Sequence, residues 1–298
     1  MTRLVVLLAA LLAAAAAVQG SQATFTASAT NAGASFVTAS KFAPTVTLTA
    51  PANGSRTNDT TPLMTGTADT ATGDSTTVTA KVYSGTSTTG SLVQTKTGTR
   101  SGTSYSFSLT TALAQGTYTA VVTQADTSGN TGTSNANTFT VDTTAPTATD
   151  ITAANKTGGT AGKIESGDTL TYTYSEAVTP ASVWTGWSGA STAVHIRFTS
   201  SGNDTITVLT TANAASINLG SVATNADYVT TTTTFNATIA MSSDGTSVIV
   251  TLGAPSNVSA SANPGRNMSW TPSASVRDLA GNAGSTTAYN ETNSDVDF

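Results

Sequence analysis

After residue 43 the chain is a series of short runs in which apolar positions alternate with other residues, most of them threonine or serine. Clear examples are residues 78–82 and 118–122 in the first half and residues 194–198 in the second. A period of two puts every second side chain on one face, which predicts strands with one buried face. Clusters of glycine, asparagine and aspartate separate the runs, as turns require. The pattern predicts an all-β fold of antiparallel β-sandwiches without amphipathic helices.

Threonine makes up about a fifth of the chain, whereas charged residues make up only 9%. Because threonine is β-branched, it favours extended backbone and still offers a hydroxyl group to water. A sheet whose outer face carries threonine can therefore be soluble with few charged residues. The net charge of -5 excludes the basic surface that nucleic-acid binding requires. Cysteine is absent, which excludes disulfides and thiolate metal sites.

Residues 1–23 have the form of a secretory signal peptide. Arg3 precedes an unbroken apolar run over residues 4–18, which is too short to span a bilayer comfortably. Small residues follow, so cleavage after either Gly20 or Ala23 is compatible with the pattern. The alternative is an uncleaved helix that tethers the protein to a membrane. Since no second run is as apolar, we expect a secreted mature chain, extracellular or at the cell surface, without a membrane span.

Two β domains are expected, because Asp-Thr-Thr-Ala-Pro at residues 142–146 interrupts the strand pattern and proline cannot continue a central strand. An extended segment, residues 24–43, precedes the first domain, residues 44–143. The second, larger domain covers residues 144–290. A polar tail follows at residues 291–298.

Two local motifs support this interpretation. Residues 113–118, Leu-Ala-Gln-Gly-Thr-Tyr, have the form of a tyrosine corner, in which the Tyr118 hydroxyl bonds back to the preceding turn. The alternative is a plain turn followed by a core tyrosine. Residues 243–245, Ser-Asp-Gly, separate two alternating runs and predict a tight hairpin, since Asp-Gly suits positive φ.

Further motifs lie at residues 43–48, 60–67, 113–118, 125–130 and 139–146 in the first domain, and at residues 167–170, 174–178 and 276–282 in the second. On these residues the first domain resembles the bacterial Ig-like domains that occur in tandem in surface adhesins and exoproteins, and the second resembles related Ig-like modules. Together with the N-terminal pattern, the resemblances imply two tandem Ig-like antiparallel β-sandwich domains after a secretory signal peptide.

Residues 23–36 are similar to the start of mature matrix-fibre proteins of the TasA and camelysin type. This resemblance implies cleavage after Ala23. It also implies that residues 24–42 of one subunit could complete the sheet of a neighbour by strand addition.

Residue counts leave little room for catalysis. His195 is the only histidine, and its place in an alternating run puts it on the face opposite Val194 and Ile196. Paired carboxylates could act without histidine; the candidates are Glu165, Asp168 and Glu176. Residues 165–168 are more typical of a polar turn, so we expect no catalytic residues and no enzyme.

Calcium is the one metal ion that we consider, because its ligands are oxygen atoms, mostly of carboxylates and carbonyls. The candidate ligands are Asp126 and Asp278, which open Asp-Thr-Ser-Gly-Asn and Asp-Leu-Ala-Gly-Asn, and Asp142 at the domain junction. Some related tandem adhesins stiffen their joints with calcium at such positions. The alternative is that each aspartate closes a turn by bonding its own backbone.

Trp184 and Trp187 flank Thr-Gly in a loop-like stretch. Exposed together, they could stack on sugar rings and form a glycan platform. The alternative is that they close the end of the sandwich.

These expectations favour a non-enzymatic, secreted, Ig-like structural or adhesion protein of the bacterial cell surface or extracellular matrix. Its partners would be other extracellular proteins or further copies of itself. The alternatives are a fibre subunit assembled by N-terminal strand donation and a glycan-binding module.

Overall fold

The computed structural model describes residues 42–212, 214–255, 266–292 and 297–298. Residues 43–298 form one compact unit. All regular structure in the described residues is strand, apart from the four-residue helix α1 (Pro180–Val183). The all-β prediction is therefore confirmed. The predicted signal peptide and residues 24–41 lie outside the described residues.

The strands of the first domain, within the described residues, are β1 (Arg56–Thr57), β2 (Leu63–Thr67), β3 (Asp74–Ser84), β4 (Leu92–Ser101), β5 (Ser104–Ser108), β6 (Gly116–Asp126), β7 (Thr131–Thr133) and β8 (Asn137–Val141). Their order is β1-β8-β6-β3-β4-β5-β2, with β7 beside β6. Strand β4 pairs with β3 along most of its length and with β5 only at Arg100 and Ser101. It therefore carries the chain from one layer of the sandwich to the other.

Antiparallel pairing prevails as expected, but the short strand β1 runs parallel to β8. The alternation along β3 buries Val78, Ala80 and Val82 completely. Met64 on β2 and Tyr105 on β5 belong to the same core from the opposite layer. Thr79 and Lys81, which alternate with the buried residues of β3, are only half-buried, as the pattern predicted.

The tyrosine corner is also confirmed. The Tyr118 hydroxyl at the start of β6 donates a hydrogen bond to the backbone oxygen of Ala114, at 2.8 Å. Tyr118 itself is buried and packs beside Phe139 of β8, with ring centroids 6.0 Å apart. The corner thus ties the turn before β6 to the strand that follows.

The strands of the second domain, within the described residues, are β9 (Ala148–Ala154), β10 (Thr169–Tyr174), β11 (Thr192–Thr199), β12 (Thr205–Thr210), β13 (Ser221–Ala223), β14 (Thr233–Met241), β15 (Ser247–Pro255), β16 (Ser269–Thr271) and β17 (Tyr289–Asn290). Their order is β17-β16-β13-β12-β11-β14-β15-β10-β9. The two end strands, β17 and β9, lie close to each other. The sheet therefore curls around its core until its edges nearly meet.

Trp270 occupies the centre of the second core. The rings of Tyr172 and Tyr174 meet it edge-on, with centroids 5.2 and 5.0 Å away. Its indole N–H donates to the backbone oxygen of Leu219 at 2.7 Å, so burial leaves this polar group satisfied. Burial also raises the pKa of the Tyr172 hydroxyl.

The predicted Asp-Gly hairpin joins β14 to β15 in antiparallel register. Gly245 has φ of +74°, a conformation that disfavours a side chain. Asp244 accepts hydrogen bonds from the Ser242 hydroxyl and the Thr246 N–H, at 2.6 and 3.1 Å. These bonds hold the turn and lower the pKa of the Asp244 carboxyl.

The structure corrects the predicted polar tail at its last two residues. Asp297 and Phe298 are buried, and the Phe298 ring packs edge-on against Phe198 and Tyr228, with centroids 5.6 Å from each. The Phe298 backbone oxygen also accepts a hydrogen bond from the Gly162 N–H, at 2.6 Å. The core of the second domain therefore includes residue 298.

Candidate functional site

The turn that begins at Asp278 is closed by one carboxylate. Asp278 Oδ1 accepts hydrogen bonds from the backbone N–H groups of Ala280, Gly281 and Asn282, at 2.9, 2.6 and 2.8 Å. Oδ2 accepts a further bond from Asn282 Nδ2 at 2.7 Å. This is the self-bonded aspartate turn that the sequence offered as the alternative to a metal ligand.

The turn at Asp126 repeats this arrangement in the first domain. Asp126 Oδ1 accepts the N–H groups of Ser128 and Asn130, at 2.8 and 2.9 Å, and Oδ2 accepts Asn130 Nδ2 at 2.9 Å. Asp126 pairs with Asp74 across the sheet, at the end of β6. The two Asp-x-x-Gly-Asn sequences therefore encode one kind of turn.

The Asp278 turn also contacts the first domain. Asn58, after β1, donates its backbone N–H to Ala280 O at 3.1 Å. Asn282 Nδ2 donates to the backbone oxygen of Asp142 at 2.8 Å. The turn thus holds the first domain both at its β1–β2 loop and at the residue that follows its last strand, β8.

Three carboxylates converge at this junction. One oxygen each of Asp142, Glu176 and Asp278 lies within 4.8 Å of the others. Asp142 and Asp278 are buried, and Glu176 is half-buried. Two of the three predicted calcium ligands are thus brought together, but Asp126 does not belong to this group. Glu176 takes the third place, although the sequence had singled it out only as a candidate acid or base.

The electrostatics of the junction centre on Glu176. Burial raises the pKa of its carboxyl above the ordinary value, and the charges of Asp142 and Asp278 raise it further. The Arg56 guanidinium acts in the opposite direction. Three like charges close together repel, so the junction holds a proton or a cation more readily than separate carboxylates would.

The donor set fits a hard cation. Calcium binds carboxylate and carbonyl oxygens, and the cluster offers oxygen donors alone. Asp278 Oδ1 is already engaged by three N–H groups. Asp142 Oδ1 accepts the Thr144 N–H at 3.1 Å. Its second oxygen and the Glu176 carboxylate accept no hydrogen bond from the described residues, which makes them the better placed ligands.

The other carboxylate pair organises a loop. Asp168 is fully buried and accepts the backbone N–H groups of Lys156 and Glu165, at 3.0 and 2.5 Å. Glu165 accepts the Thr160 N–H at 2.8 Å and lies 3.9 and 3.8 Å from the ammonium groups of Lys156 and Lys163. The hydrogen bond from Thr160 lowers the pKa of Glu165, and both lysines lower it further. These contacts agree with a polar turn.

His195 lies on the outer face of β11, as its alternation predicted. It is half-buried, whereas Val194 and Ile196 on either side of it are buried. Its neighbours across the sheet are Asn236 on β14 and Leu209 on β12. None of these is a carboxylate that would orient it as a general base.

The structure separates the roles of Trp184 and Trp187. Trp187 is buried in the core and donates its indole N–H to Ala190 O at 2.8 Å. The expectation of a platform built from two exposed indoles is therefore wrong for Trp187, which closes the end of the sandwich. Trp184, directly after α1, is half-buried and borders two cavities of about 440 and 180 Å³.

No helix within the described ranges combines the length and the apolar character that crossing a bilayer requires.

Comparison with known proteins yields one family match. The family model of the bacterial Ig-like domain matches residues 49–143, which lie within the first domain. This agrees with the resemblance noted from the sequence. The second resemblance, to fibre proteins of the TasA and camelysin type, has no support in the comparisons. No curated protein matches the chain.

Several solved structures are similar to the chain at low identity. The fibronectin(III)-like modules of Clostridium thermocellum CbhA are 12% identical, over 70% of this chain and 90% of theirs, with a TM-score of 0.26. A tetra-tandem repeat from the extending region of a large adhesion protein is 18% identical, over 86% of this chain and 66% of its own, with a TM-score of 0.25. The FN1–FN3 domains of chicken CNTN1 are 12% identical, over 72% of this chain and 65% of theirs, with a TM-score of 0.27. Scores this low give no basis for transferring a function.

Proposed function

We propose that the protein is a non-enzymatic, exported structural or adhesion component of the bacterial cell surface or extracellular matrix. Its two β domains would act as a stiff pair that holds other surfaces at a distance. The observation that carries the proposal is the junction, where the Asp278 turn accepts a hydrogen bond from Asn58 and donates one to Asp142, both in the first domain. The bacterial Ig-like match over residues 49–143 supports the same role.

Calcium is the proposed regulator of this stiffness. A cation bound by Asp142, Glu176 and Asp278 would replace repulsion between carboxylates with attraction, and it would link residues of both domains. When calcium is removed, the junction would keep its hydrogen bonds but would carry unbalanced negative charge. The proposal therefore predicts a stiff pair with calcium and a looser pair without it.

Small-angle X-ray scattering and thermal melting test this role directly. The mature protein is measured in calcium and in excess chelator, with magnesium as a second cation. We expect a raised melting temperature and a narrower distribution of shapes in calcium. Domains that move independently in both conditions would contradict the stiff pair. A melting temperature that calcium does not change would contradict calcium binding, but it would not contradict the stiff pair. Turnover of a substrate by the purified protein would contradict the non-enzymatic role.

Self-assembly is the second proposed activity, and it rests on the resemblance of residues 23–36 to matrix-fibre proteins. Its test is electron microscopy of the mature protein and of a variant that lacks residues 24–42. Filaments formed by the first and lost in the second would support strand donation. Filaments formed by both, or by neither, would contradict it.

A further inference from the structure

Hydrogen bonds hold the backbone on both sides of Trp184 in place. Trp184 follows helix α1, and Asn218 ties that helix to the neighbouring loop: its backbone N–H donates to Val183 O, and its Nδ2 donates to Ser182 O, both at 2.9 Å. On the other side, the Trp187 N–H donates to Trp184 O at 2.9 Å. The backbone at Trp184 is therefore fixed on both sides, while its half-buried ring remains accessible. A pre-ordered aromatic group loses little entropy when a ligand packs on it.

The two cavities are neighbours that share one wall. Both are lined by Trp184 and Thr185. The wall of the larger, about 440 Å³, combines the polar side chains of Thr210, Ser216 and Asn218 with the apolar side chains of Val183, Ala212, Ala215 and Ile217. A volume of this size is within the range of small-molecule sites.

The smaller cavity, about 180 Å³, has the same character. Ser188 and Thr192 add hydroxyl groups to its wall, and Trp187 adds the part of its indole that reaches the surface. None of the described residues that line the two cavities is ionisable, so these linings offer no counter-charge to a charged group.

This chemistry selects one class of ligand. Hydroxyl and amide groups around an indole match a neutral, polyhydroxylated molecule, whose C–H faces pack on the ring and whose hydroxyls exchange hydrogen bonds with the rim. Anions and cations would lose water without gaining a counter-charge. A purely apolar ligand would leave the polar rim unpaired. A saccharide chain satisfies both requirements.

We propose that Trp184 separates two adjoining subsites for a neutral oligosaccharide, with one sugar unit in each cavity. The site adds a ligand to the proposed role at the surface or in the matrix, and it rests on that role only for its biological setting. It uses none of the junction residues, so its failure would leave the stiff, calcium-bound pair untouched. Failure of the junction experiments would likewise leave this site standing.

Binding is tested with the full mature protein and a panel of neutral hexasaccharides: α- and β-linked glucans, a mannan and an N-acetylglucosamine oligomer. Titration calorimetry and quenching of tryptophan fluorescence give the affinity. We expect saturable binding of at least one panel member. Trp184→Ala should weaken it at least about tenfold, as expected for loss of a central aromatic contact.

Further variants separate binding from folding. Trp184→Phe keeps an aromatic face and should recover most of the affinity, whereas Thr185→Val removes a rim hydroxyl and should weaken binding several-fold. His195→Ala, on the outer face of β11, should bind like the wild type. If Trp184→Ala does not fold, as judged by circular dichroism, the comparison of Trp184→Phe, Thr185→Val and wild type decides the question.

Three results would overturn the proposal. The first is that the folded wild type binds no member of the panel. The second is that binding is unchanged in both Trp184→Ala and Thr185→Val. The third is that an acidic polysaccharide or an apolar peptide binds with higher affinity than every neutral saccharide.

Discussion

Asn282 in the second domain donates its side-chain Nδ2 to the backbone oxygen of Asp142 in the first, at 2.8 Å. The same amide also donates to Asp278 Oδ2 at 2.7 Å. One side chain therefore closes its own turn and holds the neighbouring domain. This makes the turn and the junction a single structural element.

Asn282→Ala should loosen the junction, and the first domain provides a matched control. Asn130 closes the equivalent turn there by donating to Asp126 Oδ2 at 2.9 Å. Each substitution removes side-chain hydrogen bonds of about 0.5–1.5 kcal/mol. Only Asn282→Ala should also broaden the shape distribution in small-angle scattering. Equal broadening in Asn130→Ala would show that the junction does not depend on the contact between Asn282 and Asp142.

Glu176→Gln should stabilise the protein at neutral pH when calcium is absent. Because the folded state raises the pKa of Glu176, the folded state holds its proton to higher pH than the unfolded chain does. The free energy of unfolding therefore falls as pH rises from the unfolded pKa, about 4.3, through the folded one. The variant lacks this loss, so it should melt higher than wild type in chelator at pH 7 and lose the advantage near pH 4.

Addition of calcium should reverse the order of the two melting temperatures, so that wild type melts higher than Glu176→Gln. Wild type should gain stability on calcium addition, whereas Glu176→Gln, which lacks one ligand, should gain much less. Glu165→Gln is the control, since Glu165 lies in another loop and pairs with Lys156 and Lys163. An identical calcium response in wild type and Glu176→Gln would contradict a role of this carboxylate as a ligand.

The strands could be predicted because each one carries its own period of two. The buried faces of β3 and β11 follow directly from residues 78–82 and 194–198. The corner at Tyr118 and the turn at Gly245 were predictable for the same reason, since their contacts lie within a few residues. Information of this kind is local in the chain.

The third carboxylate of the junction was harder to predict. Glu176 is the second residue after β10, and β10 pairs antiparallel with β9, which begins shortly after Asp142. That pairing returns the end of β10 to the linker, where the Ser175 N–H donates to Thr147 O at 2.8 Å. The pairing of β9 with β10 is therefore the feature that places Glu176 at the junction. This placement can be predicted only once β9 and β10 are known to be neighbours.

The roles of the two tryptophans and of the last residue had no local signal. Trp184 and Trp187 lie in a stretch without alternation, so nothing distinguishes the buried ring from the accessible one. Phe298 follows a polar, acidic stretch that is typical of a solvated tail. Its burial depends on an opening between Phe198 and Tyr228, which tertiary packing alone creates.

Tyr118→Phe tests the tyrosine corner. The substitution keeps the ring beside Phe139 and removes only the hydroxyl that donates to Ala114 O. Loss of a single such bond should lower the free energy of unfolding by about 0.5–1.5 kcal/mol. Tyr83→Phe, on the half-exposed face of β3, is the control and should change little. Urea denaturation measures both, and equal effects would remove the special role of the corner.

Phe298→Ala tests whether the last residue belongs to the core. Phe298 is fully buried and packs against both Phe198 and Tyr228, so its truncation should leave a cavity. Substitutions of this kind cost about 3–5 kcal/mol. Leu92→Ala, at a side chain 53% exposed on β4, provides the control and should have a much smaller effect. Chemical denaturation gives both values. A loss for Phe298→Ala no larger than that of the control would mean that the ring contributes nothing to the core in solution.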